Sequence, residues 1–94
     1  MKAIIDNKLY DTKKAEKLLE FYRSGTKTVE MWGSLVNLPY KHNITLYKTD
    51  KGNYFEVDEA DNAIKVLDKS DVKLLLTKID PDLYIKLFGE VEEG

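Results

Sequence analysis

The sequence predicts a single α+β domain, with a small, mainly antiparallel sheet packed against helices. Polar and apolar side chains alternate between residues 43 and 57 on both sides of Asp50-Lys51-Gly52, which is typical of a hairpin. Two other segments, beginning at Ala15 and at Val72, repeat apolar residues at i, i+3, i+4 and i+7, which is the spacing of one helix face. The length of 94 residues suits one core but not two. Since a lone hairpin is marginal in water, we expect the flanking segments to cover it.

Composition limits the possible classes of function. Hydrophobic residues make up 43% and charged residues 34%, as in globular domains. The absence of cysteine excludes disulfides, thiolate nucleophiles and thiolate-bound metals. The longest apolar runs, such as Leu74-Leu75-Leu76, are far too short to span a membrane, and residues 1–5 are too short for a signal sequence. We therefore expect a cytoplasmic protein without a cofactor.

Charge is unevenly distributed along the chain. Residues 1–55 hold ten Lys/Arg and six Asp/Glu, whereas residues 56–94 hold five and eleven, so +4 and −6 give the net charge of −2. Such asymmetry can orient an encounter with a charged partner. The alternative is that these side chains only solvate exposed faces.

The N-terminal segment predicts a hairpin and then a helix. Asp6-Asn7 separates two short apolar segments, and both residues tolerate the left-handed conformation of a tight turn. Asp11 or Thr12 can cap a helix from Thr12 to Ser24, and Gly25 can end it. The apolar stripe of this helix would consist of Ala15, Leu18, Leu19 and Tyr22.

The middle of the chain predicts strands. One or two strands and a protruding loop are expected between Thr26 and His42, because Gly33 can interrupt a strand and Pro39 cannot donate to a central ladder. In the hairpin that follows, the alternation predicts that Ile44, Leu46, Phe55 and Val57 share one face. The opposite face would then hold Thr45, Tyr47, Tyr54 and Glu56.

The C-terminal third predicts an edge strand and two helices. The strand covers residues 63–67, and Asp68 or Ser70 caps the first helix. Asp80-Pro81 then begins the second helix, since proline is favoured at the first helical position. Residues 90–94 are expected to form a frayed acidic tail. The apolar residues of the two helices are Val72, Leu75, Leu76, Ile79, Leu83, Tyr84, Leu87 and Phe88.

No catalytic motif is evident, and we expect a protein that is not an enzyme. The lone His42 lacks a cysteine or a suitably placed serine, so we interpret it as a surface residue beside the hairpin. Asp58, Glu59 and Asp61 lack the other oxygen ligands of a calcium loop, and we predict no metal site there. With Glu56 and the acidic tail, they could instead meet a basic surface of another protein.

The aromatic residues between positions 32 and 55 offer a second candidate contact. For Trp32, burial in the core is slightly favoured over contact with a partner. Stacking on nucleic acid is the alternative, although a pI of about 5.4 and a single arginine disfavour it. The predicted partner-binding residues are Trp32, Tyr40, Tyr47, Tyr54, Glu56, Asp58, Glu59 and Asp61.

Three stretches cover about half of the chain: KAIIDNKLYDTKKAE, TLYKTDKGNYFEV and DLYIKLFGEVEEG. With the YDT cap of the first and the LYxTxxGxxF hairpin of the second, they resemble a set of small proteins carried by phages and mobile elements of low-GC Gram-positive bacteria. Residues 29–42 and 58–69 do not match. The matching residues Tyr10, Asp11, Thr12, Leu46, Tyr47, Gly52 and Phe55 are of the turn, cap and core kind.

The resemblance implies an anti-CRISPR-like setting, in which small proteins inhibit a bacterial defence complex by stoichiometric binding. The expected partner is therefore a bacterial effector protein, with no role for a membrane. Two alternatives stay open: a nucleic-acid-binding or regulatory accessory protein, and a structural module that forms homo-oligomers through a strand edge or an aromatic face. Partner choice would lie in the segments that depart from the resemblance.

Overall fold

The computed structural model describes residues 1–89 and 92–94 and shows an α+β fold. A two-stranded N-terminal sheet precedes a four-stranded antiparallel sheet in the order β3-β4-β5-β6, and two helices follow. The elements are β1 (Lys2–Ile5), β2 (Lys8–Asp11), β3 (Glu16–Met31), β4 (Ser34–Lys48), β5 (Tyr54–Asp58), β6 (Ala63–Leu67), α1 (Lys69–Ile79) and α2 (Pro81–Phe88).

The predicted N-terminal hairpin is confirmed. Strands β1 and β2 pair in antiparallel register, and Asp6 and Asn7 adopt φ values of 51° and 62° in the turn between them. Positive φ at both positions is the signature of a type I′ turn, which fits the twist of the flanking strands. Aspartate and asparagine are among the residues that tolerate this conformation best.

The helix predicted over residues 12–24 is wrong, because strand β3 begins at Glu16. A register shift between Lys17 and Leu19 marks a β-bulge, and it leaves both Leu18 and Leu19 packed against the helix-covered core. Because Leu18 and Leu19 lie on the same side of the strand, their sequence pattern is that of adjacent apolar residues on one face of a helix. Tyr22, the last member of the predicted stripe, is mostly exposed. Gly25 does not end a helix but lies within β3, paired with Tyr40.

The segment from Thr26 to His42 contains no protruding loop but continuous strands on both sides of a tight turn. Trp32 and Gly33 form this turn with φ values of 50° and 79°, again both positive. Pro39 lies within β4 opposite Thr26. Hydrogen-bonded and non-hydrogen-bonded pairs alternate along the ladder, and counting from the hydrogen-bonded Met31–Ser34 pair that closes the turn makes Thr26–Pro39 a non-hydrogen-bonded pair. The missing N–H of Pro39 therefore faces the outer edge of the ladder, where proline is tolerated.

The central hairpin is confirmed, but the predicted division of its faces is wrong. The turn at residues 50–52 forms as expected, with Gly52 at a φ of 86°. However, Leu46 pairs with Glu56 and Tyr47 with Phe55. A shift of one residue in the assumed register moves every side chain of a strand to the opposite face. Ile44, Leu46, Tyr54 and Glu56 thus share one face, and Thr45, Tyr47, Phe55 and Val57 share the other.

The predicted edge strand β6 and both C-terminal helices are confirmed. Asp68 caps α1 in a capping box with Asp71, and the Asp80 side chain accepts a hydrogen bond from the Leu83 N–H at the start of α2. Of the predicted acidic tail, residues 90–91 lie outside the described residues, and residues 92–94 are exposed. Neither described helix is long and apolar enough to cross a membrane.

The four-stranded sheet has an apolar cluster on each face. The helices cover one face, where Leu46, Tyr54 and Leu67 pack with Val72 and Leu76. The N-terminal hairpin covers the other face, where Tyr10 packs with Phe55 and Val57. Within β3 and β4, the buried residues are Ile44, Thr45 and Leu46, at the end of β4 that pairs with β5.

Candidate functional site

A two-stranded arm extends beyond the body of the fold. Strand β5 pairs with β4 only from Ile44 to Lys48, whereas β3 and β4 continue together to the turn at Trp32. Residues 22–43, here called the arm, contribute ten further cross-strand pairs, which is a length of about 33 Å at roughly 3.3 Å per residue. The radius of gyration is 16.2 Å, compared with about 12 Å expected for a compact chain of this length. The arm therefore accounts for the elongated shape.

One face of the arm is apolar and only partly covered. Cross-strand neighbours share a face, so the register places five apolar side chains together. Among the residues that the structure describes, no further strand pairs with the arm's edges. We call this set the apolar face of the arm: Val29, Met31, Val36, Leu38 and Tyr40. It continues the face of the sheet that carries Ile44 and Leu46.

The tip of the arm presents a tryptophan to solvent. The Trp32 residue is 96% exposed, and it occupies a position with a φ of 50°. The prediction that slightly favoured core burial for Trp32 is therefore wrong. On the opposite face of the arm, Leu35 and Tyr22 are 78% and 71% exposed. A left-handed conformation costs an ordinary residue roughly 1–2 kcal/mol. The first hairpin makes the same kind of turn with Asp6-Asn7, which avoids most of that cost.

Two lysines of the arm lie over aromatic rings. The Lys27 Nζ is 5.8 Å from the centroid of the Tyr40 ring, and the Lys41 Nζ is 6.0 Å from that of Tyr22. Both distances are within the range of cation–π attraction. The arm holds three Lys/Arg and one Glu, so it is basic although the whole chain is acidic.

At the root of the arm, a bidentate ion pair joins β3 to β5. The Arg23 Nη1 and Nη2 atoms donate to Oε1 and Oε2 of Glu56 at 2.8 and 3.1 Å. The Glu56 side chain is 6% exposed and that of Arg23 is 45% exposed. The hydrogen bonds from Arg23 to this carboxylate raise the pKa of Arg23 above its usual value.

The His42 side chain joins the root of the arm to the turn between β5 and β6. Its Nδ1 atom is 2.9 Å from Asp58 Oδ2 and 3.7 Å from Asp61 Oδ2. The imidazole also packs edge-on against the Tyr40 ring, with centroids 4.5 Å apart. Gly25 leaves space for the ring, because a Cβ atom there would lie 2.9 Å from His42 Nε2. The prediction of a surface histidine is corrected, since the His42 side chain is only 18% exposed.

The four aromatic residues predicted to contact a partner lie in three different environments. Trp32 and Tyr40 lie on the arm. Tyr47 is half-buried against Phe55, with ring centroids 5.1 Å apart, and Tyr54 is buried in the helix-covered cluster. In this fold Tyr54 is therefore not available to a partner. The pairing of Lys48 with Tyr54 places Tyr54 on the same face as Leu46, and not on the face of Tyr47 that the alternation predicts.

The predicted acidic residues hold the arm instead of forming one open patch. Glu56 bonds to Arg23 and Asp58 to His42, while Glu59 Oε2 accepts from the Asn43 side chain at 3.0 Å. Buried Glu56 is not available to a partner, and only Glu59 and Asp61 among the four are mostly exposed.

The sequence-based interpretation missed the arm and the histidine cluster. A signal for the arm is present, since residues 26–31 and 34–39 can pair symmetrically about Trp32-Gly33. The cluster depends on the register between β4 and β5, for which the sequence holds no local signal. In comparisons with protein families, curated proteins and solved structures, no family, protein or structure matched this chain.

Proposed function

We propose that this chain is a protein-binding inhibitor whose arm inserts into, or lies along, its partner. The single observation that carries the proposal is Trp32, an aromatic side chain that is 96% exposed at a backbone position unfavourable for it. Outliers of this kind are retained where function requires them. Tryptophan is also enriched among the residues that dominate binding energy in protein interfaces.

The chemistry of the arm favours a protein partner over nucleic acid. Large apolar side chains are exposed on both faces of the arm, Met31 and Leu38 on one and Tyr22 and Leu35 on the other. Arg23 is already paired with Glu56. Only Lys27 and Lys41 then remain as cations of the arm, few for a surface that neutralises phosphates. The expected partner is a protein with an apolar cleft or surface that accepts the tip.

The finer proposal is inhibition of a bacterial defence complex in the host cytoplasm by a phage- or mobile-element-encoded protein. Its support is the resemblance in the three stretches described above. The arm contains residues 29–42, one of the two segments in which the chain departs from that resemblance. Differences in binding between proteins on a common scaffold are usually built into such variable segments.

Capture from a bacterial host lysate tests protein binding. Trp32→Asn removes the aromatic contact but keeps a residue that tolerates the turn, and Leu74→Asn is the matched control because Leu74 is exposed on α1. We expect a stoichiometric, nuclease-resistant partner with the parent chain and with Leu74→Asn. Trp32→Asn should bind it about 30-fold more weakly, the equivalent of roughly 2 kcal/mol for an interface hot spot. Equal capture by Trp32→Asn would contradict the role of the tip.

An interference assay tests inhibition separately. Cells that carry an active CRISPR–Cas system should lose protection against phage when they express the parent chain, and should keep it when they express Trp32→Asn at equal abundance. Capture of a partner without any effect on defence would leave a binding protein of another kind. Recovery of nuclease-sensitive material alone would favour the nucleic-acid alternative.

Self-association is the second candidate, and the edge of β3 favours it. Strand β3 is sixteen residues long and lies at the edge of its sheet, without a proline to interrupt pairing. Pairing of two β3 edges would give a continuous sheet. A mass by light scattering that rises from monomer to dimer with concentration would support it, and a constant monomer mass would exclude it.

A further inference from the structure

We propose that His42, Asp58 and Asp61 form a binding site for a divalent transition metal ion, for which Zn²⁺ is the probe. One ligand atom from each side chain lies within 4.8 Å of the other two. The inference is independent of the proposed function, because it concerns the root of the arm and not its tip.

The separations between the donor atoms suit a small ion. Zinc–nitrogen and zinc–oxygen bonds are about 2.0–2.2 Å long. Two donors on one ion are then about 2.9 Å apart at a right angle and about 3.4 Å apart at the tetrahedral angle. The distances from His42 Nδ1 are 2.9 Å to Asp58 Oδ2 and 3.7 Å to Asp61 Oδ2. The donor atoms of Asp58 and Asp61 lie within 4.8 Å of each other, so an ion can enter when the exposed Asp61 side chain moves to close the remaining separation.

The imidazole is held in place by the strands around it. The ring lies over Gly25, with Nε2 towards the Gly25 α-carbon and Nδ1 towards β5. A glycine within a strand costs roughly 0.5–1 kcal/mol relative to alanine, and such glycines often mark a close approach. Here the missing side chain makes room for the imidazole. Together with the T-shaped contact to the Tyr40 ring, this space holds the imidazole with Nδ1 towards the carboxylates.

The Asp58 carboxylate is oriented as well. Its Oδ1 atom accepts hydrogen bonds from the backbone N–H groups of Ala60 and Asp61 at 3.0 and 3.3 Å. This leaves Oδ2 facing His42. Outer contacts that orient a ligand in this way are typical of metal sites. Asp61 is the exposed member of the three, so the ion would keep water in its remaining positions.

The ligand set favours a divalent transition metal ion over calcium or magnesium. Imidazole nitrogen suits zinc, nickel, copper and iron, whereas calcium takes six to eight oxygens and magnesium is held mainly through carboxylates and water. Since the chain has one histidine and no cysteine, no other imidazole or thiolate competes for a soft metal.

The experiment is a titration of the full chain, with any affinity tag removed, by Zn²⁺ in a calorimeter near pH 7.5. We expect one Zn²⁺ per chain and no signal from Mg²⁺. Asp61→Asn should weaken binding at least about tenfold, and His42→Ala should abolish it. Glu59→Gln is the matched control, because it removes a neighbouring carboxylate outside the site and should leave Zn²⁺ affinity unchanged.

A second readout identifies the ligand atom. In a ¹⁵N-labelled chain the single imidazole is assigned without ambiguity, and Zn²⁺ should shift its Nδ1 resonance far more than its Nε2 resonance. The proposal is overturned if Zn²⁺ binds the parent chain and Asp61→Asn equally, if binding survives His42→Ala, or if the Nδ1 resonance does not move. Asp61→Asn changes an exposed residue, so its result does not depend on a loss of folding.

Discussion

Breaking the ion pair between Arg23 and Glu56 should destabilise the fold more when Arg23 is replaced than when Glu56 is replaced. The Glu56 side chain is only 6% exposed, so Arg23→Met leaves a nearly buried carboxylate without a counter-charge. Loss of one partner of a buried pair costs about 3–5 kcal/mol. Arg23 is 45% exposed and the pair is partly screened, so we expect the low end, about 3 kcal/mol. In Glu56→Met the arginine can turn to water, and the expected loss is about 1 kcal/mol.

The double variant completes a thermodynamic cycle. Replacing both partners by apolar groups of similar size is often nearly neutral, so Arg23→Met with Glu56→Met should lose only about 1 kcal/mol. The coupling energy is then about 3 kcal/mol. Urea denaturation followed by far-ultraviolet circular dichroism measures it, because the only tryptophan is exposed at the tip and is a poor reporter of unfolding. Equal single losses, or additive ones in the double variant, would show that the pair behaves as a surface salt bridge and would refute this reasoning.

Three further predictions concern single positions. Trp32→Asn should stabilise the fold by about 1 kcal/mol by relieving the left-handed strain, seen as a melting temperature higher by about 4–8 °C, and a lower temperature would contradict the account of the turn. Gly25→Ala should displace the His42 ring and weaken Zn²⁺ binding, although residue 25 touches no metal, whereas unchanged binding would show that the ring position is not fixed by Gly25. The backbone N–H of Asp71 lowers the pKa of Asp68 below its ordinary 3.8, so the charged cap stabilises the fold above that pH and loses its effect as the pH falls through the lower folded-state value. Asp68→Asn, which caps without titrating, should therefore lose less stability than the parent chain between pH 4 and pH 2 in acid denaturation, and identical curves would contradict this.

Local signals predicted several turns and caps correctly, whereas the caps expected at Asp11 or Thr12 and at Gly25 failed together with their helix. Asp6-Asn7, Gly52, Asp68 and Asp80-Pro81 act through their own backbone and the next few residues, and each is found where its chemistry places it. The helix over residues 12–24 failed because a β-bulge put Leu18 and Leu19 on one side of a strand. Periodicity cannot distinguish that arrangement from a helix face until the partner strand is known.

The candidate sites depend on pairing across the sheet, which the sequence does not specify locally. His42 meets Asp58 because β4 and β5 pair Ile44 with Asp58, two positions further along β4. A different register by one residue would turn Asp58 to the opposite face of the sheet. The sequence shows residues 58–61 as an acidic group, but it does not show that His42 lies beside them.

If the tip binds a partner as proposed, the root of the arm determines how well it can do so. A two-stranded ribbon is marginal by itself, and ordering a flexible segment on binding costs free energy. Glu56, Asp58 and Glu59 hold Arg23, His42 and Asn43, the first residues of the arm on both strands. Reversing their charges should therefore weaken partner binding without any contact between these residues and the partner. Hydrogen exchange distinguishes the two explanations, because loss of the root contacts should speed exchange along residues 22–43, whereas loss of a direct contact would leave those rates unchanged.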